Sequence, residues 1–103
     1  MKETITLRNA VKINATSIEE LLVHKELIWE VAVVFERNKF AYDDIHIFVS
    51  SPDSQLAEIF CKNQLPETYN AILYVQKNHL VKLSNGKYDK RMLLKIINRL
   101  ETC

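Results

Sequence analysis

The chain has 103 residues, 48% of them apolar and 26% charged, with a formal net charge of +1. That composition suits one ordinary globular domain, and residues 1–103 are read as a single unit. One glycine and two prolines leave no flexible linker, low-complexity tract or repeat to place.

The longest apolar run, Leu27 to Phe35, is interrupted by Glu30 and is far shorter than the roughly 20 residues a membrane span needs. The start, "MKETITLRN", lacks the apolar region of a secretion signal, so a cytoplasmic location with no membrane contact is expected. The first half is slightly acidic and the second slightly basic, an asymmetry too mild to argue for nucleic acid.

In chain order, "TITLRNAVKIN" (4–14) is rich in β-branched side chains and reads as one strand or a short hairpin. In "ATSIEEL", Thr16 or Ser17 can cap a helix with Glu19 or Glu20 three residues on. From Ser17 to about Asn38 two readings compete. Ile18, Leu21, Leu22, Ile28, Ala32 and Phe35 recur at helical spacing, whereas "LIWEVAVVF" (27–35) taken alone is a buried β-branched strand. One long helix is preferred, because a strand there lies too close to the next strand for a parallel crossover, although a hairpin stays open.

"IHIFVS" (45–50) is a strand, with His46 facing away from Ile45, Ile47 and Val49. "SPDSQLAEIFCKNQL" then starts a helix capped by Ser51 or Asp53, with Leu56, Ile59, Phe60 and Cys61 turned inward. Ala71 to Gln76 and His79 to Leu83 read as a hairpin around Lys77-Asn78. After "SNG", Tyr88 to Leu100 form a last helix with Leu93, Ile96, Ile97 and Leu100 buried. The order is β-α-β-α-β-β-α, an α/β fold in which a mixed sheet carries helices on both faces.

"IHIFVS", the helix after it, "YNAILYVQKNHLVKL" and "NGKYDKRMLLKIINRL", from Ile45 to Leu100, resemble the second half of the thioredoxin-like superfamily. Its chemistry needs a CxxC or CxxS where the first long helix begins, since the helix N-terminus lowers the attacking thiol's pKa. Here that place holds "TSIE", Thr16 to Glu19, and a hydroxyl cannot exchange with a disulfide. The family's cis-proline position falls on Tyr69-Asn70, with Pro66 four residues earlier. A cis bond before Asn70 costs roughly 3 kcal/mol, so a trans peptide is expected. The resemblance therefore implies a redox-inactive scaffold whose degenerate groove, Thr16, Ser17, Thr68, Tyr69 and Asn70, docks an extended peptide.

Other candidates are sparser. Lys87, Arg91, Lys95 and Arg99 recur every four residues as a basic stripe, whose ordinary meaning is a solvated face and whose functional one is an acidic partner or nucleic acid. Phe40 and Tyr42 flank a loop that can present an aromatic to a partner, and Trp29 is read as core. His24, His46 and His79 share no metal-ligand spacing, and Cys61 and Cys103 form no CxxC, so no metal and no cofactor are expected.

The function expected is a non-catalytic protein-interaction or assembly module, an adaptor whose partner is another protein or a second copy. Two alternatives stay open. One is a single-cysteine redox or thiol-cofactor-binding enzyme working through Cys61. The other is a regulatory factor that binds nucleic acid or an acidic partner through the basic C-terminal helix.

Overall fold

A computed structural model describes residues 4–6, 12–37 and 43–101, with the side chains of 4–6 and 98–101 left aside. The segment 4–14 is a hairpin: β1 (Thr4–Thr6) pairs antiparallel with β2 (Lys12–Asn14), Ile5 opposite Ile13. Helix α1 (Ala15–Leu21) follows at once. Its cap is Asn14, whose Oδ1 accepts the Ser17 N–H at 2.8 Å, so Thr16 and Ser17 lie inside the first turn and neither caps it.

The long helix expected over Ser17 to Asn38 does not form. Helix α1 stops at Leu21, and Glu30–Arg37 is strand β3, paired antiparallel with β4 (Asp43–Ser50) from Glu30↔Ser50 to Arg37↔Asp43. Burial explains the choice. Ala32, Val33, Val34 and Phe35 are consecutive and all buried, which suits a strand covered on both faces and gives a helix no polar stripe. The hairpin alternative, not a crossover, joins these neighbours in sequence.

Strand β4 then pairs parallel with β5 (Ile72–Gln76), His46 opposite Ile72, across α2 (Ser54–Gln64) and a 3₁₀ turn at Glu67–Tyr69. Asp53 caps α2, its Oδ1 accepting the Leu56 N–H at 3.2 Å. The mixed sheet has the order β3-β4-β5. Helix α3 (Lys90–Glu101) closes the described chain, and Asp89 Oδ1 accepts the Met92 N–H at its start.

Period-two alternation divides the core. On one face Val33, Phe35, Ile45, Ile47 and Val49 pack with Ile18 and Leu22 of the α1 region and Ala57 and Cys61 of α2. On the other, Ala32, Val34 and Phe48 pack with Leu80 and with Leu93 and Ile97 of α3. Helices therefore cover both faces of an α/β sheet, as expected.

Three further expectations shift. Residues 79–83 make no second hairpin strand beside β5; their single ladder contact is a bridge from Lys82 to Tyr88. Leu56 and Ile59 face solvent, 55% and 59% exposed, because the small Ala57 and Cys61 are the side chains that fit closest to the sheet. Trp29 is half exposed and stacks on His79, centroids 5.4 Å apart. The observed order thus differs from β-α-β-α-β-β-α at 30–37 and at 79–83.

Candidate functional site

Glu30 opens β3 and is only 7% exposed. A carboxylate taken out of water must be hydrogen-bonded or it costs several kcal/mol, and among the described residues its side-chain partners come from one short stretch about fifty residues away. Oε1 accepts the Leu80 N–H at 2.8 Å and a His79 Nδ1 proton at 2.9 Å; Oε2 meets Lys82 Nζ at 3.0 Å. Burial alone raises the Glu30 pKa, but the Leu80 N–H, Lys82 and His79 together outweigh it and hold the group below its ordinary 4.5. The same hydrogen bond and charge raise Lys82 above 10.5. This capture explains why 79–83 leave β5: Leu80 is pinned to the start of β3 and buries its side chain against α3.

Past Lys82 the chain turns sharply. Leu83 N–H donates to Lys87 O at 2.7 Å, Gly86 N–H to Leu83 O at 3.0 Å, and Lys87 N–H to Asn85 Oδ1 at 3.0 Å. Gly86 sits at φ +86°, a conformation that side chains disfavour. Tyr88 pairs with Lys82 in an isolated antiparallel bridge, and burial, reinforced by Glu30, raises its phenol above 10.0. The corner borders a cavity of about 770 Å³ lined by Lys87, Lys90, Arg91 and Leu83 together with Glu19 and Asp89. Asp89 is engaged in capping α3. Its volume is that of a small-molecule pocket, and the cations fit a carboxylate or phosphate.

The expected site residues lie on several elements. Thr16 and Ser17 are exposed on α1, and Thr68 is exposed in the 3₁₀ turn, while Tyr69 is half buried against the α1/α2-side core and Asn70 ends the turn at φ 49°. Among the described residues no hydrogen bond joins the two halves of that proposed groove. In the basic stripe, Arg91 and Lys95 are exposed on α3, but Lys87 lies in the loop before it; the Arg99 side chain is not described. Phe40, Tyr42 and Cys103 lie outside the described residues. Cys61 is fully buried and its thiol is pushed up to about 11, which disfavours a nucleophilic thiolate. His46 faces away from Ile45 as expected, yet it too is buried, with Nδ1 3.1 Å from the Tyr74 hydroxyl. Among the described residues no group of His, Cys, Asp or Glu could hold a metal ion, and no helix is long and apolar enough to cross a membrane.

The cluster around Glu30 escaped the sequence reading, although one signal pointed to it. A lone charge inside the longest apolar run implies a buried partner somewhere in the chain.

No family model matches the sequence, and no curated protein matches it. Solved structures do share the fold. Amide bond synthetase McbA from Marinactinospora thermotolerans superimposes with a TM-score of 0.65 at 15% identity, over 89% of this chain and 19% of that one. Mycobacterium tuberculosis fatty acyl CoA synthetase gives 0.64 at 16% identity, over 88% and 19%. The o-succinylbenzoate CoA synthetase MenE of Bacillus subtilis, bound to a product analogue, gives 0.65 at 15% identity, over 90% and 20%. At such identities the likeness is one of fold, and the chain spans about a fifth of the length of each structure.

Proposed function

We propose that this chain is an interaction module of a carboxylate-ligating system, one that docks on a larger protein and presents the Leu83–Arg91 corner to the anionic part of that system's ligands. The observation that carries the reading is the fold match. Nearly the whole chain corresponds to about one fifth of synthetases whose names describe joining an acyl group to an amine or to coenzyme A. The reading keeps the adaptor role expected from the sequence and moves its working surface from the Thr16–Asn70 groove to the basic corner. Cytoplasmic location is part of the same reading, since it is where acyl-CoA chemistry would supply such ligands.

Lys87 and Arg91 can supply charge-assisted hydrogen bonds to phosphate or carboxylate oxygens. The test is a titration with coenzyme A followed by ¹H–¹⁵N NMR. Shifts are expected at the amides of Leu83, Gly86, Lys87 and Arg91, weakening with salt. A Lys87→Ala/Arg91→Ala variant should bind about tenfold more weakly, the effect of about 1.4 kcal/mol. Shifts confined to Thr68–Asn70, or none at the corner, overturn the reading.

A further inference from the structure

The connection from β5 to α3, residues 77–89, contains no strand or helix, and its own turn bonds fix its local shape but not its place on the domain. Its polar ties to the sheet come from the end of β5, where Gln76 Nε2 donates to Asn78 O at 2.8 Å and His79 O at 3.2 Å, and from the first residue of β3. Glu30 receives the Leu80 N–H, His79 and Lys82, and its neighbour Val31 lines a cavity together with Tyr88. We infer that Glu30 is the positioning residue of the Leu83–Arg91 corner: its buried carboxylate straps His79–Lys82 to β3, and the Lys82–Tyr88 bridge carries that restraint to Lys87.

The strap rests on the geometry alone; only its consequence for ligand binding rests on the function proposed above. Two features make it more than a packing contact. The carboxylate spans both oxygens, so removing its charge frees Lys82 and His79 together. Hydrogen bonds to an ionised group are also roughly twice as strong as neutral ones. The groups around it are then decisive. His79 and Lys82 face Glu30 from the connection, while Tyr88 from its far end, Glu19 of α1 and His24 and Lys25 after it line a cavity of about 250 Å³ with Glu30. Lys82 also lies 5.4 Å from the Tyr88 ring centroid, coupling the two anchors.

Native-state amide exchange of Glu30→Gln tests the strap. Leu80, Leu83, Gly86 and Asp89 are the reporters, because each N–H donates a bond within the strapped segment or to Glu30. Their protection should fall about tenfold, as loss of a charge-assisted bond implies, while Ile47 and Val49 of β4 keep theirs. Glu30→Asp, which retains the charge, should restore part of the protection. In the wild type the same reporters should lose protection as pH falls through the lowered Glu30 pKa, a profile that Glu30→Gln should lack. Unchanged corner protection in Glu30→Gln overturns the inference. If that variant does not fold, Lys82→Gln decides, since Lys82 is half exposed; unchanged Leu83 and Asp89 protection there overturns it equally. A strap that responds as expected in a wild type that does not bind coenzyme A would count against the proposed function and leave the strap standing.

Discussion

Replacing Cys103 by serine leaves Cys61 as the sole thiol and turns it into a probe of the α2–sheet contact. Cys61 is fully buried, and burial moves its pKa from an ordinary 9.0 to about 11. At about pH 8 that lowers the thiolate fraction roughly 100-fold relative to the unfolded chain. Exclusion of the reagent lowers the rate further, by the equilibrium constant for local opening. Iodoacetamide should therefore label the folded protein at least about 100-fold more slowly than the denatured one. The raised pKa also makes stability pH-dependent. The neutral thiol favours the folded state fully below pH 9.0, and that advantage is lost as pH rises toward about 11. The loss amounts to about 3 kcal/mol, and it should be absent from Cys61→Ala. Urea denaturation in mildly and strongly alkaline buffer reads the difference. Native labelling within about tenfold of the denatured rate would refute the burial argument and favour the single-thiol enzyme instead.

Ile97→Ala removes a fully buried side chain from the α3 face and should cost about 2–5 kcal/mol in urea denaturation; a loss below about 0.5 kcal/mol would mean that α3 does not pack there. Leu56→Asn/Ile59→Asn should stay within about 1 kcal/mol of wild type, since both residues face solvent, and a larger loss would return them to the core. Asn14→Ala should cost about 1 kcal/mol of thermal or urea stability by removing the α1 cap, whereas Ser17→Ala should be nearly neutral; the reverse order would restore Ser17 as the cap.

Much of the second half was legible because its signals are local. Asp53 before a helix-forming run, the alternation of "IHIFVS" and the apolar spacing of Leu93, Ile96 and Ile97 each report on one element. The first half was harder. "LIWEVAVVF" is apolar enough for either a buried helix or a buried strand, and periodicity cannot separate them when both faces are covered.

The sequence by itself determined an α/β domain with a mixed sheet between helices, the strands read at 45–50 and 71–76, and the last helix, because side-chain spacing encodes which face of an element seeks a core. Only the tertiary structure decided that 30–37 is a strand, since its pairing partner lies in another segment. Likewise, nothing local could show that Leu80 leaves β5 for Glu30: a buried carboxylate takes its donors from wherever the fold brings them, and here they lie fifty residues along the chain.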